Sequence, residues 1–174
     1  MVELREIEAK VLEVNLKKVE ADLRALGAKK AFDGTLHAIY FDFPNKSLQK
    51  NKIAFRLRSD GKKNILCIKS KPVKGKVKSL DEREVQVKDF KKAQAVIKSL
   101  GFVEKLNIKK KRKSFKLGRA RIELERIKGI PDFIEIEAPS QQRVVAVAKK
   151  LGFSEKSLVP WNTFKLLKYY NKKV

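Results

Sequence analysis

An α+β fold is predicted, in which eight mostly antiparallel strands close into a barrel with helices on its outside. Three observations predict it. Apolar residues alternate with period two over eight segments, four helical stretches carry an apolar stripe, and the turns between neighbouring strands are short and polar or glycine-containing. A weak internal repeat orders them: Arg5-Glu-Ile-Glu-Ala-Lys10 returns as Arg83-Glu-Val-Gln-Val-Lys88 and partly as Phe133-Ile-Glu-Ile-Glu-Ala138. Each copy leads into a helix that stops at Leu26-Gly27, Leu100-Gly101 or Leu151-Gly152.

The strands are expected at residues 3–11, 29–43, 52–60, 64–71, 80–88, 102–116, 120–127 and 133–138. Asp60-Gly61-Lys62, Leu117-Gly118 and Lys128-Gly129 make tight turns, whereas Pro44-Asn45 and Pro72 to Gly75 mark longer loops. The first helix begins after Asn15 and presents Leu16, Val19, Leu23 and Leu26. The second follows Asp89 and turns Phe90, Ala93, Val96, Ile97 and Leu100 inward. The third follows Pro139-Ser140 with Val144, Val147, Ala148 and Leu151, and a fourth starts at Pro160 with Trp161, Phe164, Leu167 and Tyr170. These stripes are read as core. No linker divides the 174 residues, so one domain, 1–174, is expected.

Composition narrows the chemistry. The chain carries 43 Lys and Arg against 20 Asp and Glu, a formal charge of +23, which calls for an anionic partner. One Cys and one His cannot build a structural zinc site, a lone Cys67 cannot form an internal disulfide, and no nucleophile motif surrounds His37. Neither a secretory leader nor an apolar run of membrane-spanning length is visible, so a cytoplasmic protein without a membrane partner is expected.

Side chains two apart in a strand share a face. Glu-x-Glu recurs at 6/8, 82/84, 123/125 and 135/137, using eight of the 20 acids in a strongly basic chain. A sheet with one wet face is the ordinary explanation of such alternation. Paired carboxylates repel, however, and a divalent cation held by oxygen ligands, Mg²⁺, Mn²⁺ or Ca²⁺, relieves that cost. Arg56, Arg58, Lys69 and Arg112 can lie on strands facing the same interior, where guanidinium forks match phosphate oxygens. A barrel with a charged inside could then bind a metal–polyphosphate.

The residues resemble the CYTH superfamily, or triphosphate tunnel metalloenzymes, which includes class IV adenylyl cyclase and thiamine triphosphatase. The resemblance rests on an ordered set: Glu6-Ile-Glu8-Ala-Lys10, Tyr40-Phe-Asp42-x-Pro44, Phe55-Arg-Leu-Arg58, Ile68-Lys69 and Glu82-Arg-Glu84. Lys111-Arg112, Glu123-Leu-Glu125 and Phe133-Ile-Glu135-Ile-Glu137 complete it. Ile130-Pro131-Asp132 departs from the usual turn, and the C-terminal element survives only as residues 162–167. The resemblance implies an eight-stranded tunnel that binds a triphosphate with Mg²⁺ or Mn²⁺. It implies Glu6, Glu8, Glu123, Glu135 and Glu137 as metal ligands. Lys10, Arg56, Arg58, Lys69 and Arg112 become phosphate-binding residues, and Lys69 and Tyr40 help the attacking water. Glu84, Glu125, Arg121 and Lys165 are further members, with Lys165 or Lys168 closing the tunnel.

Hydrolysis of tripolyphosphate or of a nucleoside or thiamine triphosphate is the favoured function. Cyclisation of ATP is the alternative on the same scaffold, since no residue pattern reads adenine. A non-catalytic nucleic-acid-binding protein is the second alternative; it is disfavoured because four Glu-x-Glu pairs would repel phosphates. The assembly expected is a monomer or homodimer. Lys109 to Lys113 reads as a solvated strand with Arg112 the inward exception, His37 as structural, and Cys67 as small core packing that shares the parity of Lys69. Trp161 reads as a lid or core aromatic rather than a base-stacking platform.

Overall fold

The computed structural model describes residues 5–70 and 78–170, with side chains described from Ile7 and, after the break, from Glu82. The strands are β1 (Arg5–Leu12), β2 (Lys29–Asp42), β3 (Ala54–Ser59), β4 (Asn64–Ser70), β5 (Lys78–Val87), β6 (Val103–Leu117), β7 (Ala120–Ile127) and β8 (Phe133–Ala138). The helices are α1 (Leu16–Ala25), α2 (Ser47–Lys50), α3 (Phe90–Ser99), α4 (Gln141–Lys150) and α5 (Thr163–Tyr169), with a 3₁₀ turn at Glu155–Ser157. The hydrogen-bonded strand order, β1-β5-β4-β3-β2-β6-β7-β8, closes on itself, so the fold is the α+β, eight-stranded antiparallel barrel class that the alternation predicts.

The expected repeat of strand, helix and glycine stop is present three times. Asn15, Asp89 and Ser140 accept hydrogen bonds from the backbone N–H of Lys18, Lys92 and Arg143 and so cap α1, α3 and α4. Gly27, Gly101 and Gly152 follow these helices with φ of +76°, +88° and +80°, a left-handed conformation that a side chain would strain.

Two helix expectations need correction. The fourth helix starts at Thr163 instead of Pro160, because the backbone of Val159 exchanges two 2.9 Å hydrogen bonds with Lys10 and stays extended. Asn162 then caps the helix. The short α2 replaces part of an expected loop. Buried Asp42 holds it, accepting hydrogen bonds from the N–H groups of Phe43 (2.7 Å), Leu48 (2.9 Å) and Gln49 (3.0 Å).

Contacts group the described chain into two compact units. In one (residues 35–72 and 80–109), α3 packs Ile97, Phe90 and Ala93 on the outer side of β2 and β3, over Ile39, Phe41 and Leu57. Of the expected α3 stripe, Val96 (60% exposed) and Leu100 (67%) lie outside this core. In the other (residues 6–34 and 110–174), Val19 and Leu23 of α1 and Val144, Val147 and Ala148 of α4 cover the apolar side of β1, β8, β7 and β6. Ala9, Ile136, Ile122 and Phe115 line that side, each at most 1% exposed. Burial at about 25 cal/mol per Å² of apolar surface fixes which face of each strand is the dry one. The alternate positions are thereby presented on the opposite face.

Candidate functional site

In the unit built on β1, β8, β7 and β6, strand register sets charged residues in rows across one face. Glu8 pairs with Glu137, which pairs with Arg121 and then Lys116; in the next row Lys10, Glu135, Glu123 and Ser114 follow one another. A third row places Phe133, Glu125 and Arg112 side by side. Neighbouring rows are about 6.6 Å apart along each strand. Glu8, Lys10, Glu123 and Glu125 are all buried, so each ion pair here acts with little solvent screening.

The pairing is unequal. Lys10 bonds Glu135, and Arg112 approaches the same carboxylate at 3.8 Å. Lys110 Nζ donates to both oxygens of Glu125 at 2.6 and 2.7 Å, while Arg112 donates to Oε1 through Nε at 2.5 Å and also through Nη2. Burial alone would favour the neutral acids. For Glu135, however, Lys10, Arg112 and Lys110 hold the carboxyl well below the ordinary range, and for Glu125, Arg112 and Lys110 also lower it. Burial likewise opposes the charge on Lys10 and Arg112. The attraction of Glu135 and Glu8 for Lys10, and of Glu125, Glu123 and Glu135 for Arg112, outweighs it and raises both.

Glu123 is the exception. Ser114 Oγ donates to it and Arg112 Nη1 lies at 3.5 Å, yet burial, together with the nearby charges of Glu135 and Glu125, pushes its pKa up. The carboxylates of Glu123 and Glu135, paired on neighbouring strands, are oxygen ligands of the kind a hard divalent cation takes. Glu8 and Glu137 extend the set by one row, whereas the side chain of Glu6 lies outside the described residues. Glu125, bonded by two cations, positions Arg112 and Lys110. Arg121 is half exposed, with its Nε 3.9 Å from Glu123.

In the other unit, the rows on β2 to β5 place Tyr40 beside Arg56, Cys67 and Glu84, and Lys69 beside Glu82. Arg56 stands over the Tyr40 ring at 5.9 Å, with Nη2 3.8 Å from Cys67 Sγ and 3.7 Å from Glu82. Its buried Nε has no hydrogen-bond partner among the described residues. Arg58 donates to Glu84 at 2.8 Å, and Lys69 Nζ lies 2.8 Å from Glu82. Lys69 is thereby held on this face as a point charge that suits phosphate. Cys67 donates to Glu82 at 2.8 Å; burial, then Glu82, push the thiol up to about 12 against the pull of Arg56. Cys67, Glu82 and Glu84 bring ligand atoms within 4.8 Å of one another. The group is a candidate acidic site for a metal ion, with Arg56 and Lys69 adjoining it.

Sequence reasoning missed Lys110 and Ser114 as members of these clusters, and counted Glu82 among the paired carboxylates without giving it a role. Strand parity was the signal for Lys110 and Ser114, which share the face of Arg112. Lys165 Nζ lies 5.1 Å from the Trp161 ring centroid. His37 is structural, stacked on Phe90 at 5.1 Å and 2.7 Å from Asn107 Oδ1. No helix among the described residues is long and apolar enough to cross a membrane.

Comparison with known proteins identifies the family and its fold. The CYTH domain family model matches residues 4–160, most of the chain and parts of both units, and the chain belongs to that family. A candidate adenylate cyclase of Methanocaldococcus jannaschii is 27% identical over 132 residues, 76% of this chain and 75% of its own. A conserved hypothetical protein from Pyrococcus furiosus superposes with a TM-score of 0.80 at 29% identity, covering 92% of this chain and 99% of its own. A candidate adenylyl cyclase from Hippeastrum, described as having a dominant triphosphatase activity, has a TM-score of 0.72 at 19% identity over 97% of each chain and shares the fold.

Proposed function

We propose that this CYTH chain hydrolyses a triphosphate with Mg²⁺ or Mn²⁺, acting on inorganic tripolyphosphate or on a nucleoside or thiamine triphosphate. The observation that carries the reading is the buried charged face of β1, β8, β7 and β6. On it strand register brings Glu8, Glu137, Glu135 and Glu123 together with Lys10 and Arg112.

Glu8, Glu123, Glu135 and Glu137, with Glu6, would hold the divalent cation. When bound, such a cation neutralises phosphate oxygens and acidifies a coordinated water. The remaining work belongs to the chain's own side chains. Arg112 and Lys10 are already oriented by Glu125 and Glu135, so they meet phosphate without first ordering themselves, which preserves binding energy. Arg56 offers its unpartnered Nε, Arg58 a fork and Lys69 a point charge to phosphoryl oxygens. Tyr40, beneath Arg56, is assigned to orienting the water that attacks the terminal phosphorus, with orthophosphate derived from that phosphoryl group and the shortened polyphosphate leaving.

The name of the Methanocaldococcus relative favours a second reading, in which the ribose 3′-hydroxyl of ATP attacks the α-phosphorus and pyrophosphate leaves. The described activity of the Hippeastrum protein supports hydrolysis. Product analysis separates the two. Purified protein is incubated with tripolyphosphate, ATP and thiamine triphosphate, each with Mg²⁺ or Mn²⁺, and the products are resolved by ion-exchange chromatography. Orthophosphate is expected, and Glu8→Gln is expected to remove turnover while keeping the circular-dichroism spectrum. Cyclic AMP with pyrophosphate would replace hydrolysis by cyclisation, and absence of turnover would overturn both.

A further inference from the structure

The two units cover their strands unequally. In the unit of β1, β8, β7 and β6, two helices, α1 and α4, lie over the apolar side of four strands. In the other, α3 is the helix among the described residues that buries a side chain over β2 to β5, since α2 buries none. Register sets the outward side chains of these strands in rows. Ile39, Leu57, Leu66 and Val85 form one row, and Phe41, Phe55, Ile68 and Arg83 the next. Exposure climbs along both rows toward β5, from buried Ile39 and Phe41 to 57% at Val85 and 40% at Ile68.

One flank of α3 bounds this uncovered strip. Gln94 donates to Glu104 of β6 at 2.7 Å, and Lys98 Nζ lies 3.6 Å from the same carboxylate. β6 adjoins β2, on the side away from β4 and β5. At about 3.6 residues per turn, Val96 and Leu100 lie on the opposite flank, toward β4. The helix starts where Phe90 stacks on His37 and leads to Phe102, stacked on Phe43, so it runs past the rows of Val85 and Ile68. Ile68, Val85, Val96 and Leu100 are four of the six exposed large apolar side chains among the described residues. Single exposed apolar residues are ordinary, but a group gathered on one face marks an interaction surface.

The charges at its edge select the occupant. Arg83 adjoins Ile68 in register, and exposed Lys92 stands one turn before Val96, while the carboxylate at the start of α3, Asp89, is taken up as its cap. A second copy would bring two such basic rims together between chains that each carry +23, which opposes self-association. We propose that the strip takes an amphipathic helix of a partner protein, with acidic residues flanking its apolar stripe. Leu66, Ile68 and Val85 form the floor, Val96 and Leu100 the wall, and Arg83 and Lys92 meet the acids. The guest helix supplies this unit with the two-helix cover that the other unit has from its own chain. The site lies on the outer side of the strands, opposite the face of Arg56 and Lys69.

The probe is a fluorescein-labelled peptide of about 18 residues, with Leu at i, i+3, i+4 and i+7 spacing and Glu and Ala elsewhere. The intact protein is titrated into it and anisotropy is read. A peptide of the same composition with the Leu spacing scrambled measures attraction to the basic surface at large. The amphipathic peptide is expected to bind saturably and at least about tenfold more tightly than the scrambled one. Val96→Asp should remove most of that preference, and Val85→Thr, on the sheet, should lower it. Both positions are exposed, so an unchanged circular-dichroism spectrum is expected. Equal binding of the two peptides, or a preference unaltered in both variants, would overturn the proposal. Dimerisation in sedimentation experiments that Val96→Asp abolishes would also overturn it, by giving the strip to a second copy.

Discussion

Replacing Glu135 by Gln and Glu123 by Gln makes the same chemical change one strand apart in the same row, yet unequal outcomes are expected. Glu135 balances buried Lys10 and Arg112, and its carboxyl is held well below the ordinary range. Breaking a buried pair in this way costs about 3–5 kcal/mol, which for a chain of this size lowers Tm by roughly 6–20 °C. Glu123 has a raised pKa, so in the absence of divalent cation its ionised form is a burden at neutral pH. Glu123→Gln should therefore change stability by no more than about 1 kcal/mol in either direction. Urea unfolding at pH 7 in the presence of a chelator measures both.

The pH dependence follows from the signs of the shifts. A depressed carboxyl pKa contributes stability that is present above the unfolded value, about 4.3, and lost as pH falls through the folded one. The gap between the parent protein and Glu135→Gln should thus narrow as the medium is acidified below about pH 4. The raised Glu123 carboxyl works oppositely, favouring the fold at low pH and losing that contribution as pH rises through its folded value. Equal losses from the two substitutions, or a Glu135→Gln penalty that does not vary with pH, would refute the assignment of which carboxylate is balanced.

Other outcomes can be checked with little material. Asp42→Ala removes the acceptor of three backbone N–H groups and should cost about 1–3 kcal/mol, read as a fall in the urea midpoint. Cys67, buried and with its pKa pushed up to about 12, should resist iodoacetamide at pH 8 in the folded protein and react in urea; rapid native labelling would contradict its bond to Glu82. Arg58→Ala, which breaks a half-exposed pair with Glu84, should leave stability within about 1 kcal/mol of the parent while weakening triphosphate binding.

Much of this was legible in the sequence because strand parity is a local property. Alternation in β1, β7 and β8 assigned the faces of Glu8, Lys10, Glu123 and Glu135, while the family resemblance picked Arg112 from a run of five cations. Parity alone does not weigh one inward residue against the next. Lys110 went unrecognised although it points the same way, since its value comes from the neighbouring Glu125. Glu82 and Glu84 share a face, and only the register pairing Lys69 with Glu82 distinguishes their partners. The four-residue α2 has no periodicity to detect, because it exists through the bonds to Asp42. Val96 and Leu100 fit a helical stripe but lie beyond the strip of sheet that α3 covers.

The central claim is that this buried charged lattice is completed by a divalent cation and a triphosphate together. Calorimetric titration of tripolyphosphate into metal-free protein, then into protein with saturating Mg²⁺, tests it most directly. The account predicts affinity at least about tenfold tighter with Mg²⁺, a coupling of about 1.4 kcal/mol or more, and its loss in Glu8→Gln. Binding of the same strength with and without the cation, unchanged by Glu8→Gln, would contradict it.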